Sequence, residues 1–125
     1  MAVEYLGENP TSYIAGANIS ATTHYRFVKI DTTAGQVVLC GQGDTPIGVV
    51  QEGAAAGNAV SVLRPPARSK VTAAQTLTAG QRVATNAAGK AIPWVANYGT
   101  AGWTEAAGST DGLVTVTLTC IGGTA

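Results

Sequence analysis

A chain of 125 residues, with seven Lys and Arg against seven Asp and Glu, carries no formal net charge, and only 11% of it is charged. That length suits one domain burying roughly two-thirds of its unfolded surface, and neutrality removes the long-range field that draws proteins to nucleic acid or anionic membranes. So little charge fits a subunit whose faces are covered by neighbours better than a free monomer.

The leading stretch MAVEYLGENP has neither the basic nor the apolar segment of a secretory signal. No apolar run in the chain approaches the length needed to span a bilayer. Residues 1–20 carry Tyr5, Pro10, Tyr13 and Ile14 without sustained periodicity. They read as an extended arm or a loosely docked tail, and residues 21–125 as the β domain.

Within that domain the apolar residues repeat with period two. Strands are predicted over 26–30 (RFVKI), 36–40 (QVVLC), 47–51 (IGVVQ), 60–63 (VSVL), 69–73 (SKVTA), 81–85 (QRVAT) and 113–120 (LVTVTLTC). The last alternates Val and Leu with Thr as a half-buried strand does. A short turn near Ala73, Ala74 and Gln75 is the only candidate helix. The fold class is therefore all-β, a compact barrel or sandwich.

Four stretches share a plan: "TTAGQVV", "AAAGNAV", "LTAGQRV" and "STDGLVTV" place small or hydroxyl residues before Gly35, Gly57, Gly80 or Gly112 and a strand after it. Glycine supplies the left-handed corner and the valines resume the pleat. The run Gly53–Gly57 within "GVVQEGAAAGNAVSVL" is accordingly expected to be a tight crossover of small residues that lets a neighbour approach closely.

Residues 92–104 depart from this plan. They hold both tryptophans, Trp94 and Trp103, with Tyr98, amid Gly and Ala, as a loop inserted between the last two strands. Such a loop can stack on sugars, bury itself in a partner, or cover the open end of its own barrel.

No catalytic constellation is found. His24 is the single histidine, and no nucleophile motif accompanies Ser20 or Thr22 near it. The carboxylates are scattered at turns, without a paired dyad. No phosphate-binding glycine motif occurs, and Cys40 and Cys120 lack partners at metal-ligand spacing, reading as two buried thiols rather than a disulfide. Catalytic, cofactor and metal sites are thus each expected to be none. The basic stretch Arg64-Pro65-Pro66-Ala67-Arg68-Ser69-Lys70 is the one concentration of charge. Its prolines keep it at a sheet edge or linker, where Arg64, Arg68 and Lys70 either grip phosphate or an acidic protein surface, or simply solvate a connection.

The stretch from Asp44 to Pro93, with its Gly-Val-Val strand, Ala-Ala-Ala-Gly-x-x-Val and Leu-x-Ala-Gly-x-x-Val corners and Ala-Ala-Gly-Lys-Ala turn, together with the closing "GSTDGLVTVTL", resembles the capsid decoration or cement proteins of tailed phages. The resemblance implies a β-tripod or barrel-like domain forming a homotrimer on the outer surface of the virion, made in the host cytoplasm, where it stiffens the shell against internal DNA pressure. By analogy with lambda-like decoration proteins, Ala2, Val3, Glu4, Tyr5 and Leu6, and onward to Tyr13 and Ile14, become an arm that adds to a strand of the major capsid protein. The alternative expectation is a carbohydrate-binding or adhesive β-domain displayed on the virion, with Trp94, Tyr98 and Trp103 as the glycan platform. Removal of residues 2–18 is expected to abolish head binding while leaving a folded oligomer.

Overall fold

The computed structural model describes residues 10–19 and 25–121. Ten strands and no helix form among them: β1 (Pro10–Ala15), β2 (Phe27–Ile30), β3 (Gln36–Leu39), β4 (Gly48–Glu52), β5 (Ala59–Leu63), β6 (Ala67–Thr72), β7 (Arg82–Thr85), β8 (Ala91–Pro93), β9 (Thr100–Thr104) and β10 (Leu113–Ile121). The first five close into a barrel in the order β1-β3-β2-β4-β5, and the second five form a sheet in the order β6-β10-β9-β7-β8.

The valine pattern dictates how these layers meet. Phe27 and Val28 are both fully buried, as are Val49 and Val50. Phe27 and Val49 join Val71, Val83, Val114, Val116 and Leu118 in the core between the barrel and the second sheet. Val28 and Val50 join Val37, Val60, Val62 and Ile19 inside the barrel. Strands β2 and β4 are thus covered on both faces, which is why their apolar residues run consecutively instead of alternating. Strand β10 has one covered face, and Val114, Val116 and Leu118 point inward while the intervening threonines point out.

Three expectations are corrected. First, the chain from Pro10 onward is not an arm. Strand β1 pairs antiparallel with β5, from Pro10 opposite Leu63 to Ile14 opposite Ala59, and parallel with β3. Tyr13 packs against the barrel core, so β1 belongs to the body of the molecule, and a deletion to residue 18 would remove a barrel strand. Second, the run from Gly53 to Gly57 is the tip of the β4–β5 hairpin and not a crossover, because those strands are antiparallel neighbours. Its close neighbour is the chain itself: Ile19 N–H donates to the Ala54 carbonyl and Gly57 N–H to the Ala15 carbonyl, each at 2.8 Å. Third, Ala73 makes a bridge to Ala91 in place of a helical turn.

The repeated corners are real at Gly35, Gly57 and Gly80, with φ of 80°, 88° and 75°. At the fourth, the left-handed residue is Asp111, at φ 63°, one position before Gly112. Asp tolerates that region better than most side chains.

Candidate binding surface

The outer face of the second sheet gathers the aromatic and basic residues that the sequence scatters. Strand β6 alternates strictly, with Ala67, Ser69 and Val71 buried and Arg68 and Lys70 exposed. In register, Arg68 lies opposite Thr117 on β10, Thr117 opposite Trp103 on β9, and Trp103 opposite Arg82 on β7. Side chains opposite one another share a face, so Arg68, Thr117, Trp103 and Arg82 form one transverse row. Gly102 lets this row lie flat: a Cβ there would fall on the Thr117 carbonyl oxygen and within 2.8 Å of Val116 Cγ1.

Each end of the row is braced. Arg68 Nη1 reaches Glu105 Oε1 at 3.3 Å, and the Thr117 hydroxyl donates to Glu105 Oε2. That hydroxyl, with Arg68 second, holds the Glu105 carboxyl below its ordinary range. At the other end the Arg82 guanidinium lies over the Trp94 ring, 3.8 Å from its centroid. Its Nε and Nη2 donate to Thr100 Oγ1 at 2.8 and 2.5 Å.

The aromatic residues separate into two roles. Trp94 donates its indole N–H to the Tyr98 carbonyl at 2.9 Å, and the Tyr98 hydroxyl accepts from Gln42 Nε2 at 2.6 Å. The Tyr98 ring packs on Gly43, and Gly99 N–H donates to the Gly43 carbonyl. The loop between β8 and β9 is therefore docked on the β3–β4 turn of its own chain. Trp103 lies outside that loop, on β9, and is 45% exposed. Trp94 and Tyr98 are half-buried in these contacts, and Trp103 is exposed.

The basic stretch is divided as well. Arg64 turns to β1, its Nη1 donating to the Tyr13 hydroxyl at 3.1 Å, while Arg68 and Lys70 project from β6. Ile14 is 38% exposed on the barrel wall. Ala2, Val3, Glu4, Tyr5, Leu6 and His24 lie outside the described residues. Cys40 and Cys120 are free thiols. Among the described residues no group of three or more His, Cys, Asp or Glu could hold a metal ion. Arg82, Thr117 and Glu105 join the row although sequence alone does not single them out. Their signal is the period-two pattern of "QRVAT", "TAGWTE" and "LVTVTLT", which places them on the side opposite the valines.

A family model described as phage cement protein matches residues 16–118. The chain belongs to the phage cement protein family. It is accordingly a structural component of the phage virion, at the outer surface of the capsid. Among solved structures it is similar to the crystal structure of the head fiber gp8.5 N base of bacteriophage phi29. The TM-score is 0.74 at 18% identity, over 91% of this chain and 96% of that one. At that identity the likeness concerns the fold, which both chains share almost end to end. No curated protein matches the sequence.

Proposed function

We propose that the chain decorates the outside of a phage head as a homotrimer and stabilises the shell, acting through surfaces alone and without catalysis. The observation that carries this reading is the family match across residues 16–118. The arm of the lambda-like scheme then falls to residues 1–9, including Ala2, Val3, Glu4, Tyr5 and Leu6, and excludes Tyr13 and Ile14, which belong to the barrel. Strand addition to the major capsid protein needs main-chain hydrogen bonds and little side-chain identity. Three arms on one trimer convert weak single contacts into durable attachment through effective concentration. A threefold assembly also covers faces that this sparsely charged chain leaves poorly solvated.

The test is a deletion of residues 2–9, which spares β1. The truncated chain should keep the light-scattering mass of a trimer and lose at least about tenfold in affinity for heads of its own phage. Full-affinity binding by the truncated chain removes the arm, and a monomeric mass for the intact chain removes the trimer.

A further inference from the structure

Among the described residues, the second sheet's outer face carries more cations than carboxylates. Elsewhere two lysines are matched by carboxylates, Lys29 with Asp44 at 2.6 Å and Lys90 with Asp111 at 2.9 Å, and Arg64 turns to the Tyr13 hydroxyl. On this face, among the described residues, Arg68, Lys70 and Arg82 stand against one carboxylate, Glu105, within a chain of zero formal charge. Among the described residues Lys70 and Arg82 have no carboxylate within ion-pair reach, and Glu105 is already engaged by Arg68 and Thr117. Of the five donors of a guanidinium, Arg82 spends those of Nε and Nη2 on Thr100.

Exposure coincides with this charge. Arg68 is 70% exposed along its side chain, and Trp103 and Leu113 are the exposed large apolar residues of the same face. An exposed Trp flanked by arginines on a rigid sheet is the composition of an energetic centre in protein interfaces. Placing the same face of a second copy against it would oppose cations with cations.

We propose that the row Arg68, Thr117, Trp103 and Arg82, with Lys70 beside it, faces the shell and docks an acidic, extended stretch of capsid polypeptide. The proposal rests on the capsid-binding reading above and adds which side of the molecule binds and what chemistry it takes. From Arg68 to Arg82 are three inter-strand steps, about 14 Å. An extended chain crossing the strands therefore meets both arginines with carboxylates about four residues apart. An apolar residue between those carboxylates lands on Trp103. Arg68, which meets Glu105 through Nη1, keeps its Nε–Nη2 edge for a carboxylate, and Arg82, whose Nε and Nη2 serve Thr100, offers its Nη1 donors.

The experiment uses full-length protein, heads of its own phage assembled without it, and co-sedimentation at several salt concentrations. Wild type should bind and weaken by at least about tenfold between roughly 0.05 and 0.5 M salt. Trp103→Ala and the double variant Arg68→Glu, Lys70→Glu should each lose about tenfold or more, with unchanged thermal melts, while Trp103→Phe keeps most of the binding. The double variant should also flatten the salt dependence. If wild type binds heads and all of these folded variants bind equally well, the face is not the docking surface and the capsid reading stands without it. If wild type does not bind heads, the capsid reading falls and the proposal with it. A drop in oligomer mass in Trp103→Ala would assign the face to contacts between copies. Glycan-array binding by wild type, lost in Trp103→Ala with head binding intact, would assign it to carbohydrate. Either result overturns the proposal.

Discussion

The Arg82 guanidinium lies over Trp94, 3.8 Å from the centre of the indole. This contact joins strand β7 to the loop after β8, and that loop reaches the β3–β4 turn of the barrel through Tyr98 and Gly99. One stacked pair therefore helps fasten the two layers together. Trp94→Ala removes the stacking partner and the N–H bond to the Tyr98 carbonyl. The expected cost is about 2 kcal/mol, seen as a Tm lowered by roughly 6–10 °C. A calorimetric melt within a degree of wild type would show that the loop holds by its backbone bonds alone.

Gly102 and Gly35 should respond differently to alanine. At Gly102 the added methyl meets the backbone of β10, so Gly102→Ala forces β9 away from its neighbour and should cost about 2–3 kcal/mol. Gly35 has open space around it and φ of 80°; Gly35→Ala should cost about 1 kcal/mol, from backbone conformation alone. Urea unfolding of both variants checks the order.

Asp44 and Lys29 give the barrel an acid limit. The Lys29 ammonium, with the Gly41 N–H second, holds the Asp44 carboxyl below its ordinary value of 3.8, and Asp44 in turn raises Lys29 above 10.5. A depressed carboxyl pKa stabilises the fold above its unfolded value, and that stabilisation is lost as pH falls through the folded value. A raised lysine pKa stabilises below its unfolded value, and that stabilisation is lost as pH rises through the folded one. Side chains 39% and 34% exposed are screened by water, so Asp44→Asn should cost only about 0.5–1 kcal/mol. The deficit should be constant across neutral pH and shrink below about pH 4 and above about pH 10. Melting curves at acid, neutral and alkaline pH measure this directly.

The cysteines should be inert in the folded chain. Cys40 is 1% exposed, with burial pushing its thiol far up, and burial pushes Cys120 up to about 12. Burial thus leaves little of the Cys120 thiol as the reactive thiolate at pH 8. A disulfide reagent should react slowly with native protein and rapidly with two thiols per chain in denaturant. Fast labelling of the native protein would contradict the burial of both.

Seven strands follow from short β-branched stretches in the sequence, alternating as in β10 or consecutive as in β4, because their valines meet a core directly. Strands β1, β8 and β9 do not stand out. PTSYIA opens on proline, AIP is three residues long, and TAGWT carries a glycine whose value lies in close approach to β10. All three are fixed by partners distant in sequence, which no local period reveals. The transverse row from Arg68 to Arg82 is half legible for the same reason. Trp103, Arg68 and Lys70 are conspicuous residue types, but only strand register puts Arg82 and Thr117 beside them. Conversely, Trp94 and Tyr98 look like a ligand platform in sequence, and only the structure shows the contacts they make within their own chain.

The closure of the barrel by its first strand has a mechanical consequence. Tension along β1 from its Pro10 end loads the five residue pairs with β5 in shear, because their hydrogen bonds lie across the strand, perpendicular to the pull. Hydrogen bonds loaded in that direction share the force and give way together, whereas bonds peeled from one end fail one at a time. A pull along β1 would thus strain the barrel wall as a whole.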